Sequence, residues 1–161
     1  MDFSSRVIAG STPSNVDDAV ATLKRPHMED FLAAVYCHYD IVIWSQTSWK
    51  WVEIKLTELG FLTSTKYRIH FVLDKTSMLK LSTGEVDAKT GESIGRHVKP
   101  LKIIWSKMPR YGPNNTVAID DLERNFLLNQ GEGIKCTGYY RKKKKARQDN
   151  ELVGLACYLT R

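Results

Sequence analysis

Apolar residues along the chain recur at two spacings, and the change from one to the other lays out a mixed α/β order. Residues 1–24 are rich in Ser, Thr, Asn and small residues and read as an irregular lead-in, with a turn of helix at Val16 to Leu23. Pro26 suits a first helical position, and Met28, Phe31, Leu32, Val35 and Tyr36 then repeat at helical spacing, which predicts an amphipathic helix to about His38. Ile41-Val42-Ile43-Trp44 is a continuous apolar run of strand length, so it reads as a strand buried on both faces and ended by Ser45. Ser48 is placed to cap a second helix, with Trp49, Val52, Leu56 and Leu59 on one side and Gly60 closing it.

Beyond Gly60 the pattern changes. Tyr67 to Leu73 and Met78 to Leu81 alternate at every second position and are expected to be antiparallel strands, a hairpin inserted into the α/β frame. Gly84 to His97 is polar and glycine-containing, which predicts loop. Leu101 to Trp105 fits either a strand or a helix start, and Pro109 to Asn115 is a turn segment. Thr116 to Ile119 forms a second short apolar run, ended by Asp120-Asp121 and followed by LERNFLL at helical spacing. After a loop at Asn129 to Gly133, a last strand is expected within Ile134 to Tyr140. A last helix is expected over Glu151 to Leu159, with Leu152, Leu155, Ala156 and Leu159 inward.

At 161 residues the chain fits one domain large enough for a core without disulfides or structural metal. Its 42% hydrophobic and 26% charged residues are a globular balance. No apolar run approaches the ~18 residues of a membrane span, which argues against a membrane partner. Cys37, Cys136 and Cys157 follow no disulfide or zinc spacing, and the N-terminus lacks the features of a secretory or transit segment, so nucleus or cytoplasm is expected. The net charge is +6, and the RKKKKAR run from Arg141 to Arg147 alone supplies six cations. Such a run is a solvated loop, a nuclear import signal or a contact for an acidic partner. No aromatic residue interleaves it, which argues against direct nucleic-acid binding.

In open parallel sheets ligands sit beyond the carboxyl ends of strands, so Ser45 and Asp120-Asp121 are expected to share one crevice. A strand-end serine ahead of a helix offers a hydroxyl and backbone N–H groups to phosphate. Paired aspartates at another strand end are hard oxygen ligands for Mg²⁺. Phosphoryl transfer also needs charge on the non-bridging oxygens neutralised, and Lys99 is the candidate cation. Each has an ordinary reading too: Ser45 as an approach to a helix, the aspartates as caps, Lys99 as surface. The four tryptophans, Trp44, Trp49, Trp51 and Trp105, read as core, and no histidine has metal-ligand spacing.

Four ordered stretches, RPHMEDFL, YDIVIWSQTSWKWVEIKLTELG, VKPLKIIW and NTVAIDDLERNFLLN, carry a resemblance over roughly Arg25 to Lys135. They resemble the haloacid dehalogenase superfamily phosphatases that act on the carboxy-terminal tail of RNA polymerase II (the FCP homology domain), and most of all the branch with a ubiquitin-like domain. The resemblance implies a Rossmann-like haloacid dehalogenase core with a mainly parallel sheet and an inserted β-hairpin after the second motif. It implies that Ser45 and Gln46 bind the phosphoryl group, that Lys99 stabilises its charge, and that Asp120 ligates Mg²⁺ with Asp121 in support. It also implies a phosphoserine or phosphothreonine protein as substrate, with the RNA polymerase II tail or the proteasome as candidate partners.

The family's Asp-x-Asp-x-Thr, whose first aspartate attacks phosphorus, occurs nowhere in the sequence, and Asp17-Asp18 is adjacent rather than alternating. The resulting expectation is a phosphatase-like domain over 25–161, truncated at its N-terminus. It would be without its first strand, its nucleophile and the ubiquitin-like module, with a weakened Mg²⁺ site and little turnover. Two other readings compete: a pseudophosphatase that binds phosphopeptides, and the related mitochondrial import receptor domain.

Overall fold

The computed structural model describes residues 23–161; of the lead-in expected over 1–24, with its helical turn at Val16 to Leu23, all but the last residues lie outside them. Helix α1 (Met28–Tyr36) buries Phe31, Leu32 and Val35 and places Glu29 and Asp30 in its first turn, where the helix dipole favours acid. It starts later than Pro26, because His27 at its N-cap sits in the left-handed region at φ 63°, a turn that a non-glycine residue adopts at a cost.

Strand β1 (Ile41–Trp44) runs into helix α2 (Trp49–Glu58), which returns the chain to β2 (Ile69–Leu73). The two strands pair parallel, with Val42 opposite Phe71 and Trp44 opposite Leu73. This corrects the expected antiparallel pairing of Tyr67 to Leu73 with Met78 to Leu81: a helical crossover between the strands makes neighbours run the same way. Ser48 does occupy the N-cap of α2, yet its side chain makes no cap bond. The cap comes from across the fold, where Asp74 Oδ2 accepts from Trp49 N at 2.9 Å.

The inserted hairpin lies one step further on, as β3 (Leu79–Val86) and β4 (Ser93–Val98) in antiparallel register. Much of it falls in Gly84 to His97, which the sequence predicts as loop. The hairpin has little core face to declare it: Leu79, Val86 and Ile94 are exposed, and Val98, at its base, is buried. Its turn is held by Asp87, whose Oδ1 accepts from Lys89 N and Thr90 N, and by Gly91 at φ 68°.

Helix α3 (Lys102–Lys107) resolves the ambiguous apolar run as helix. Strand β5 (Ala118–Asp120) then pairs parallel with β6 (Gly133–Lys135), shorter than the expected Ile134 to Tyr140. Between them LERNFLL forms only a 3₁₀ turn at Glu123–Phe126, with Leu127 and Leu128 exposed rather than on an inward helical face. The pairing needs Gly133, since a β-carbon there would lie 2.5 Å from Cγ of Phe126. Helix α4 (Glu151–Leu159) falls where the periodicity predicts it.

The core gathers Phe31, Leu32 and Val35 of α1, Ile41 of β1, Val52 and Leu56 of α2, Phe61, Tyr67, and Leu152 and Leu155 of α4. Ile119 and Ile134 pack against the same cluster, so both parallel pairs share one apolar centre. Truncating a buried member such as Leu56 to alanine costs about 2–5 kcal/mol. Among the described residues β1 pairs only with β2 and β5 only with β6.

Candidate active site

The carboxyl ends of β1 and β5 face one cleft of about 350 Å³. Val42 to Trp44 form one wall and Ile119 to Asp121 the other, while Lys99, Arg25 and Cys136 to Tyr139 complete it. Lys99 stands at the end of β4, after the fully buried Val98. Its backbone N–H donates to Asn125 O at 3.3 Å, and Leu101 N donates to Asn129 Oδ1 at 3.2 Å. The 3₁₀ turn after β5 therefore fixes the root of the lysine.

Lys99 Nζ reaches Asp120 Oδ2 at 2.5 Å, and the two side chains are 17% and 11% exposed. The other carboxylate oxygen, Asp120 Oδ1, accepts from Leu122 N at 2.9 Å. Burial pushes the Asp120 carboxyl up, but the Lys99 ammonium, the Leu122 N–H and the Asn125 amide outweigh it and hold it below the ordinary aspartate value. Asp120 is thus an anion in a cleft that also holds a cation. Asp121 is exposed at the same strand end. A β-carbon on Gly138 would come within 3.0 Å of Asp121 Oδ2, so the missing side chain at 138 makes room for that carboxylate.

Of the residues singled out in the sequence, Lys99, Asp120 and Asp121 meet in the cleft, whereas Ser45 and Gln46 do not line it. Ser45 is one residue beyond the cleft-lining Trp44. Its Oγ lies 2.8 Å from Thr47 Oγ1 and accepts from Thr47 N at 3.1 Å, while its own N–H donates to Leu73 O. Gln46 is exposed on the same turn. The tryptophans divide, which corrects the expectation that they are core. Trp44 lines the cleft, with its buried Nε1 unpartnered among the described residues. Trp105 donates to Thr116 Oγ1, and Trp49 and Trp51 are each 52% exposed.

Arg25, marked in the sequence only as the first residue of the resembling stretch, is buried and lines the cleft. Its Nε and Nη2 donate to the two carboxylate oxygens of Asp149 at 2.8 Å each, and Nη1 donates to Thr137 O at 2.8 Å. The pair spans most of the chain, so no local pattern announces it. Asn125 was also missed, although it is only 2% exposed and sits beneath both Lys99 and Asp120. Cys136 lines the cleft too, but burial first, and then nearby carboxylates, raise its thiol despite Arg25. That shift favours the thiol, the weaker nucleophile, over the thiolate.

No group of three or more His, Cys, Asp and Glu suited to a metal occurs among the described residues. Asp120 and Asp121 alone are hard oxygen donors at one strand end, a set that fits Mg²⁺, which commonly takes one or two carboxylates and completes its shell with phosphate oxygens and water. The assembly thus places the Lys99 cation and two carboxylates in a cleft at the carboxyl ends of the strands, where ligands of open α/β sheets bind.

Comparison with known proteins supplies the family. The family model for NLI interacting factor-like phosphatase (NIF) matches residues 5–161. Ubiquitin-like domain-containing CTD phosphatase 1 of Xenopus laevis is 43% identical over 141 residues, covering 85% of this chain and 41% of the relative. The human protein of that name is 40% identical over 141 residues, with the same coverage. Ubiquitin-like domain-containing CTD phosphatase of Arabidopsis thaliana is 40% identical over 141 residues, covering 85% of this chain and 38% of the relative. The chain spans about two fifths of the length of these curated relatives. With strand pairs, helices and cleft of that kind, the chain belongs to the NLI interacting factor-like phosphatase family, a phosphatase-like domain of the haloacid dehalogenase type.

Proposed function

We propose that residues 25–161 form the phosphate-recognising part of a magnesium-dependent protein serine/threonine phosphatase, acting in the nucleus or cytoplasm, and that these 161 residues alone turn over phosphoprotein little or not at all. The carrying observation is the Lys99–Asp120 pair at the mouth of two parallel strands. A partly buried ammonium there offsets charge on the non-bridging phosphate oxygens more strongly than it would in open water. In this reading Lys99 is shared between Asp120 and the incoming phosphate. The Ser45 hydroxyl turns from Thr47 to a phosphoryl oxygen, and Gln46 adds an amide donor beside it. Asp120 and Asp121 would hold Mg²⁺, which when bound neutralises further charge on the phosphate.

The same site explains the low turnover. The sequence contains no Asp-x-Asp-x-Thr, burial favours the Cys136 thiol over its thiolate, and Asp120 is committed to two hydrogen bonds. Without a covalent nucleophile, binding and electrostatics remain but the rate falls by several orders of magnitude. The names of the relatives support a phosphorylated carboxy-terminal tail as the type of substrate.

The test is fluorescence anisotropy with a labelled phosphoseryl peptide in Mg²⁺, run beside an assay for released phosphate. The phosphorylated peptide is expected to bind at least tenfold more tightly than its unphosphorylated form. That preference should disappear in Lys99→Met, with phosphate release at background. Equal binding of the two peptides overturns the recognition role. Phosphate release that depends on Mg²⁺ and is lost in Asp120→Asn overturns the statement on turnover.

A further inference from the structure

The segment that closes the cleft on one side continues directly into the basic run. Thr137, Gly138 and Tyr139 line the cleft, and Arg141 to Lys145 and Arg147 follow. This run is not a free tail. Lys143 N donates to Tyr140 O at 2.9 Å, Ala146 N to Lys143 O at 3.0 Å, and Gln148 N to Lys145 O at 2.9 Å, a chain of consecutive tight turns. Lys143 Nζ lies 4.6 Å from the Tyr140 ring centroid, and Ala146 is buried, which pins the middle of the loop to the body.

Both feet of the loop meet at one residue. Tyr139 stacks beneath Arg25, whose guanidinium carbon is 5.7 Å from the ring centroid, and Asp149 takes the bidentate bonds of the same guanidinium. Arg25 is itself part of the cleft wall. The six cations are all exposed, and none forms an ion pair with a described residue. Asp149, the nearest acid along the chain, is already spent on Arg25. No residue of the loop is more than about five positions from a foot, so its α-carbons lie within about 18 Å of Tyr139 or Asp149.

We infer that the 141–147 loop is a specificity surface for the cleft, selecting phosphorylated peptides that carry acidic side chains within about five residues of the phosphoresidue. Peptide rather than nucleic acid is favoured because the run from Arg141 to Arg147 presents point charges with no aromatic ring between them, and the ring just ahead of it, the exposed Tyr140, has Lys143 Nζ over it. The inference rests on the phosphopeptide reading of the cleft given above. Exposed ion pairs are individually weak, so several acting together are expected to change affinity about tenfold at low salt.

The experiment measures binding of three labelled peptides: phosphoseryl with neutral flanks, phosphoseryl with Glu flanks, and the Glu-flanked peptide without phosphate. Wild type is compared with the K142Q/K143Q/K144Q/K145Q variant. The Glu-flanked phosphopeptide should bind wild type about tenfold more tightly than the neutral one. The variant should lose that difference and most of its salt dependence, while binding the neutral phosphopeptide as wild type does. If the phosphate makes no difference but the unphosphorylated Glu peptide binds wild type and not the variant, the cleft reading fails and the acidic-peptide surface stands. Equal binding of Glu-flanked and neutral phosphopeptides by wild type overturns the inference. So does a preference that survives in the variant, or tighter binding of a single-stranded oligonucleotide than of any acidic peptide.

Discussion

Lys99 Nζ and Asp120 Oδ2 stand 2.5 Å apart and join the end of strand β4 to the end of strand β5. The pair has two consequences of opposite sign. It stabilises a carboxylate that burial alone would disfavour, and under the proposed function it engages the cation that a phosphate would have to share.

Replacing Lys99 with methionine keeps most of the volume and removes the charge. Burial acts upward on the Asp120 carboxyl and Lys99 is the first of the groups that hold it down, so without Lys99 its titration should move upward from that of the wild type. Carboxyl ¹³C NMR of wild type and Lys99→Met measures this. An unchanged titration would show that the Leu122 N–H and Asn125 suffice.

Arg25 and Asp149 form a paired charge with the guanidinium almost fully covered. Arg25→Met is expected to lower stability by about 3 kcal/mol, since it strips Asp149 of both hydrogen bonds and leaves the Thr137 carbonyl without its donor. Urea denaturation of Arg25→Met, Asp149→Asn and the double variant forms a cycle. A coupling of about 2 kcal/mol is expected, and additive losses would argue against a specific pair.

Asp149 is held below the ordinary aspartate value chiefly by its hydrogen bonds from Arg25, and Asp120 is held down by Lys99 and Leu122 against burial. For carboxyls lowered on folding, the stabilisation is complete above the unfolded value near pH 4 and is lost as pH falls through the lower native value. Stability should therefore be level from about pH 6 to 4.5 and fall below pH 4, with a shallower fall in Asp149→Asn. Urea midpoints at several pH values measure it, and a stability that is flat down to pH 3 contradicts it.

Asp74, not Ser48, supplies the oxygen at the start of α2. Asp74→Ala should lower the unfolding midpoint, through the lost bonds to Trp49 N, Thr76 N and Thr76 Oγ1, by more than Ser48→Ala does. Thermal unfolding of the two variants checks the ranking, which reverses if the serine is the working cap.

How much of this was legible in the sequence depended on whether an element shows one face to the core. Strand β1, helix α2 and helix α4 do, and Val52, Leu56, Leu152 and Leu155 mark their buried sides. The β3–β4 hairpin barely does, so its residues read as polar loop and the strand character was assigned to the wrong pair. LERNFLL has helical spacing, yet it closes only a 3₁₀ turn, with Asn125 and Phe126 buried and the two following leucines exposed. Asp120 and Asp121 are legible because a short apolar run predicts the strand end that carries them, whereas Lys99 follows a strand that reads as loop and stands out from Lys102 and Lys107 only through the family resemblance. The roles of Arg25 and Asn125 are not legible, because their partners are set by the tertiary fold.

The guanidinium of Arg25 works as a clasp. It grips Asp149 beside the final helix with two bonds and the carbonyl of Thr137 with a third, from a position just ahead of the first helix. Losing that one guanidinium would release Asp149, at the approach to the final helix, and Thr137, in the wall of the cleft, together.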